Sequence, residues 1–189
     1  MLKSRSLVLL LLLGLALTDA LSSCLSAPTY PTVPVIEFKS LNLVRTLPTP
    51  ADPSVTDTFK ITVSFQDNEG DLGLTPEEVQ NDLPPYNRLN ADGTPNPNHF
   101  NYNLRLFRRT PPNTQFEEVY PNQEFAQFPL LNGGLQNKAA PLKGDLTLKR
   151  FYNEALTFSS GDEVKFTVSI KDRALHESNT VETSVQKIP

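Results

Sequence analysis

The chain has 189 residues, with 17 Lys and Arg against 21 Asp and Glu, a net charge of −4, one cysteine and no tryptophan. An acidic balance without a basic cluster interleaved with aromatics argues against a nucleic-acid partner, and a lone cysteine excludes an internal disulfide or a multi-cysteine metal site. The fold must therefore rest on its hydrophobic core.

The opening, MLKSRSLVLLLLLGLALTDALSSC, sets Lys3 and Arg5 before an apolar run, Leu7 to Leu17, that is short for a bilayer span. Small residues then lead to Cys24, the layout of a secretory leader. Leu21-Ser22-Ser23-Cys24 resembles the lipobox of bacterial lipoproteins, which implies that residues 1–23 are a signal peptide and that Cys24 is lipidated. Several acyl chains on one cysteine anchor a protein firmly where a single chain holds it marginally. Leu25, rather than an acid, follows the cysteine. By analogy with lipoprotein sorting this points to the bacterial outer membrane, with the domain on its periplasmic or surface face. Residues 24–34, ending in TYPTVP, read as a lipid-anchored tether stiffened by proline. Residues 35–189 have the size of one domain.

Period-two alternation dominates that domain. VIEFKSLNLV (35–44) is a first, weaker strand candidate. DTFKITVSFQD follows, with Phe59, Ile61, Val63 and Phe65 on one face and Lys60, Thr62, Ser64 and Gln66 on the other. TPEEVQNDL is the best helix signal, with Thr75 as cap, Pro76 in the first turn and Glu78 completing a capping box. HFNYNLRLFRR brings Phe100, Tyr102, Leu104 and Leu106 to one face, and its FRR, 107–109, reads as a solvated strand edge. FEEVY (116–120) and DLTLKRF (145–151) are further candidates. DEVKFTVSIKD aligns Val164, Phe166, Val168 and Ile170, and SNTVETSVQKI (178–188) closes the set. About seven short strands with turn-rich links predict an all-β fold, an immunoglobulin-like antiparallel β-sandwich with a long B–C connection from Asp67 to about His99. A closed barrel is the alternative, disfavoured by uneven strand spacing.

Motifs of enzymatic chemistry are missing: no G-x-S-x-G, H-E-x-x-H, P-loop or G-x-G-x-x-G occurs. His99 and His176 fall in loops or strand ends, and Glu117 and Glu118 point to opposite faces of a strand, unsuited to paired acid/base work. The expectation is a protein that is not an enzyme.

The stretch FQDNEGDLGL, residues 65–74, is the chemical candidate. Asp67, Glu69 and Asp71 alternate with small or polar residues, and Gly70 and Gly73 permit the wrapping that an oxygen-liganded calcium ion needs. The loop is not an EF-hand, because Gly70 comes fourth and Glu stands third. Its interest lies in phase. The inward series of one strand, Phe59 to Phe65, arrives next at Asp67, and that of another, Val164 to Ile170, arrives next at Asp172. In a sandwich whose B and F strands face each other, the two acids meet at one pole. They then repel unless a cation or a donor lies between them. A calcium site on Asp67, Glu69, Asp71 and Asp172 is one solution; Arg173, Ser178 or Asn179 as donors is the other.

ITVSFQDNEGDLGL (61–74), PLKGDLTLKRF (141–151) and GDEVKFTVSIKDRALHESNTVET (161–183) together resemble a group of immunoglobulin-like lipoproteins of Bacteroidetes-type bacteria. The first resembles that group's strand ending in an acidic D-x-D-G-D-x-G loop, with Glu69 in place of the middle acid, and the last its strand F, D-R-A turn and strand G. The resemblance implies the sandwich and no activity. The expected role is a binding or scaffolding module of the cell envelope, possible partners being envelope proteins or glycans. The alternative is a glycan- or peptide-binding accessory lipoprotein of a nutrient-uptake system, for which Tyr86, Phe100 and Tyr102 are the nearest aromatic candidates.

Overall fold

The computed structural model describes residues 28–50, 54–120, 125–131, 140–153 and 157–189; the leader and Cys24 lie outside the described residues. The elements run β1 (Val35–Thr46), β2 (Thr56–Asp67), α1 (Pro76–Gln80), β3 (Tyr102–Arg109), β4 (Glu117–Val119), β5 (Phe125–Ala126), β6 (Leu142–Asn153), β7 (Glu163–Ile170), β8 (Val181–Glu182) and β9 (Gln186–Lys187). No helix among the described residues is long and apolar enough to cross a membrane.

The alternation read in the sequence becomes two antiparallel sheets. One has the order β1-β2-β6; the other has the order β4-β3-β7-β8, with β5 also paired to β3 and β9 to β7. Phe59, Ile61 and Val63 of β2 face Tyr102, Leu104 and Leu106 of β3 and Val164, Phe166 and Val168 of β7 in one buried cluster. At its centre the Phe59 ring meets Phe158, Tyr152 and Phe166 edge-on, at centroid distances of 5.8, 5.7 and 5.2 Å. Each such side chain withdrawn from water contributes on the order of 1.5–3 kcal/mol, which lets the sandwich stand without cross-links.

Three local expectations change. FRR is not a solvated edge, because β3 lies between β4 and β7. Arg109 pairs with Glu163, and Arg108 Nη1 donates to the Thr157 carbonyl at 2.6 Å. The final strand is split into β8 and β9. Between them Thr183 takes over the ladder, its N–H donating to Phe166 O at 2.9 Å and its hydroxyl accepting from Phe166 N at 3.0 Å. The short β5 was not foreseen. The helix forms as read: Thr75 Oγ1 accepts from Glu78 N at 3.2 Å, and Glu78 Oε2 accepts from Thr75 N at 2.8 Å.

Acids bracket both central strands on their inward faces. Asp57 and Asp67 end β2, while Asp162 precedes β7 and Asp172 follows it, and all four are buried. Asp57 is gripped by Arg45, Nε to Oδ1 and Nη2 to Oδ2, both at 2.9 Å. Asp162 accepts from the Thr110 hydroxyl at 2.7 Å and from Ser159 N at 2.8 Å. The other pair is treated differently.

Candidate metal centre

Asp67 arrives at the core layer because it continues the inward phase of β2, and it is entirely buried. Beyond it the chain reverses at once. Gly70 has φ +65° and Gly73 φ +101°, a left-handed conformation that glycine adopts without strain. A Cβ on Gly73 would sit 2.1 Å from the Pro129 carbonyl oxygen, and one on Gly70 would sit 2.2 Å from Ala140 O. The loop therefore closes against neighbouring backbone at both glycines. Asp67 Oδ2 helps to fix it by accepting from Gly70 N at 2.5 Å and Asp71 N at 3.2 Å.

This reversal brings Asp71 back towards Asp67, and an antiparallel bridge between Leu72 and Asp172 lays the loop beside the end of β7. Arg173 N donates to Asp71 O at 3.2 Å. One carboxylate oxygen each from Asp67, Asp71 and Asp172 lies within 4.8 Å of the others. The expected meeting of Asp67 with Asp172 is thus present, and Asp71 joins it. Glu69 is not one of the three; the chain turns between it and Asp71, so simple alternation does not carry it inward. Its carbonyl instead accepts from Ala140 N at 3.3 Å.

Two of the hydrogen-bond donors proposed as the alternative, Asn179 and Ser178, are committed elsewhere. Asn179 brackets Ile36, accepting from its N–H and donating to its carbonyl, both at 2.9 Å. Ser178 Oγ accepts from Ile170 N at 3.0 Å and donates to Asn179 O at 2.8 Å. Arg173 turns its Nη2 to Glu78, while its buried Nε makes no hydrogen bond among the described residues. Asp172 is served by the His176 backbone N–H at 2.7 Å and the His176 ring at 2.9 Å. The sequence places that histidine only in a loop or strand end, and its position four residues after Asp172 is the signal for this contact.

Asp67 Oδ1 and Asp71 Oδ1 remain buried with no hydrogen-bond partner among the described residues. Burial, and then the charges of Asp71 and Asp172, push the Asp67 carboxyl up to about 6 against two N–H donors that favour ionisation. Asp172 is also raised, by burial first and by Asp71, while His176 draws it down. Burial and mutual repulsion thus oppose the charged form of both groups. An all-oxygen donor set suits a hard cation, and three carboxylates in an irregular arrangement suit calcium, which tolerates varied geometry, better than the strict octahedron of magnesium.

The same loop moors the incoming chain. Asn68 N donates to Pro31 O at 3.0 Å, and Asn68 Oδ1 accepts from Tyr30 N at 3.2 Å. Comparisons with family models, with curated proteins and with solved structures returned no match to this chain.

Proposed function

We propose that the chain is a non-enzymatic cell-envelope lipoprotein, held on the bacterial outer membrane through Cys24. Its immunoglobulin-like sandwich serves as a binding or scaffolding module that a calcium ion stabilises at one pole. Supporting the immunoglobulin-like reading, a three-stranded sheet with β2 at its centre opposes one in which β3 and β7 are neighbours. The observation that carries the cation is the fully buried Asp67, whose Oδ1 has no partner among the described residues and which lies beside two further carboxylates. Buried like charges of this kind are costly unless a counter-charge is present.

The test is calorimetric titration of calcium, with magnesium in parallel, into chelator-treated protein and its Asp67→Asn variant. Saturable calcium binding lost in the variant supports the reading. Equal heats from the two proteins would overturn the cation, leaving a binding module without one.

A further inference from the structure

We propose that the groove on the outer face of the β3–β7 sheet is a binding site for a neutral saccharide. This deepens the binding-module reading, yet it stands on residues separate from the acidic pole. The groove encloses about 520 Å³, within the ~300–1,000 Å³ typical of small-molecule sites.

One wall is apolar. Phe100 and Phe125, both half-buried, stack with centroids 5.3 Å apart and planes 18° from parallel. β5 exists to deliver Phe125, which pairs with Asn103 of β3. The floor is polar and pre-set. Asn103 Nδ2 donates to Glu177 Oε1 at 3.0 Å and to Ser169 Oγ at 3.3 Å, and Ser169 Oγ donates to the same Glu177 oxygen at 2.6 Å. Thr167 and Thr180 add hydroxyls that donate or accept.

The ligand class follows from what the groove can satisfy. Its charges balance: Arg105 forks onto Glu118, and the Lys171 ammonium, which donates to Pro97 O at 3.1 Å, shares the lining with the Glu177 carboxylate. An anionic ligand would therefore meet no net positive charge. An extended peptide has no open backbone to pair with here, because β3 and β7 are hydrogen-bonded to neighbours on both sides. A sugar ring matches the site, with an apolar C–H face for the aromatic wall and hydroxyls for the amide, carboxylate and hydroxyl floor.

The experiment exposes the intact protein to an array of neutral plant, fungal and bacterial oligosaccharides, with a random peptide array as counter-screen. Hits are quantified by titration. Binding of one or more oligosaccharides, weakened at least tenfold by Phe125→Ala and by the groove-filling Thr167→Tyr, is the expected result. Circular dichroism identifies a variant that fails to fold, and Glu177→Gln, which keeps shape but alters the hydrogen bonding, then supplies the decisive loss. No oligosaccharide bound at millimolar concentration, binding indifferent to the folded variants, or selection of peptides alone would each overturn the proposal. Because Asp67→Asn leaves the groove intact, its saccharide binding separates failure of the cation from failure of this site.

Discussion

Asp57 and Asp67 sit at opposite ends of one strand, face the same core and are equally buried, yet only Asp57 has an arginine. The two ends of β2 thus solve the same electrostatic problem differently: Asp57 with a side chain carried by β1, Asp67 with no basic side chain bonded to it among the described residues, His176 reaching only its neighbour Asp172. The asymmetry between the poles frames the predictions.

Calcium is expected to raise the thermal midpoint. A ligand at one hundred times its dissociation constant stabilises by about 2.7 kcal/mol, which for a domain of this size is on the order of 5–10 °C. Scanning calorimetry in chelator and in millimolar calcium measures it. Asp67→Asn removes one of three repelling charges, so it should raise the midpoint in chelator and abolish the calcium response.

The pH response of the cation-free protein should carry the opposite sign to that of an ordinary salt-bridged acid. Folded Asp67 titrates at about 6 against 3.8 for an unperturbed carboxyl, so between these values the folded state binds more protons than the unfolded one. Its contribution to stability is fully present below about pH 3.8 and is lost as pH rises from there through about 6. Asp172, also raised, acts in the same direction. Urea midpoints from pH 4.5 to 7.5 in chelator, wild type minus Asp67→Asn, should fall with pH; a flat difference would refute the burial argument.

At the other pole, Arg45→Ala leaves Asp57 buried and uncompensated. The expected loss is about 3–5 kcal/mol, read by urea denaturation. Replacing both partners, Arg45→Met with Asp57→Leu, should restore much of it, because the penalty belongs to the unpaired charge and not to the absent bridge.

Gly73→Ala should destabilise strongly, since φ of +101° and a backbone oxygen 2.1 Å from the new Cβ leave no small adjustment. The conformational part alone is of order 1–3 kcal/mol. Gly93, also at positive φ but with nothing near its side-chain position, should tolerate the same change with a smaller loss. Paired chemical denaturation of the two variants isolates the steric contribution.

Metabolic labelling with a fatty-acid analogue should mark the wild-type chain in a bacterial host with lipoprotein processing, and Cys24→Ser should remove the label and release the protein from membranes. Label retained in the variant would place the attachment elsewhere.

Much of this arrangement was legible because strands write their facing in alternate letters. Phe59 to Phe65 and Val164 to Ile170 fixed the inward phase, and extending each by one step reached Asp67 and Asp172. The same extrapolation failed at Glu69, where Gly70 turns the chain out of strand geometry and parity loses its meaning. Thr75 and Glu78 were readable because a capping box is local. Other features depend on distant partners. β5 is two residues long and defined only by β3. Thr183 splits the last strand through contacts with Phe166, and the joint choice of Glu78 by Thr75 and Arg173 binds the helix to the β7 turn.

Were Cys24 to carry a lipid, the mooring of Tyr30 and Pro31 on Asn68 would set the posture of the molecule. The chain enters the sandwich at the acidic pole, so a lipid on Cys24 would be separated from Tyr30 by six residues, which span at most ~20 Å when extended. The acidic pole would then face the lipid headgroups and the Asp57 pole would point away. A tether released from Asn68 would leave the domain free to tumble on its leash, so occupancy of the loop beside it would register as orientation at the membrane surface.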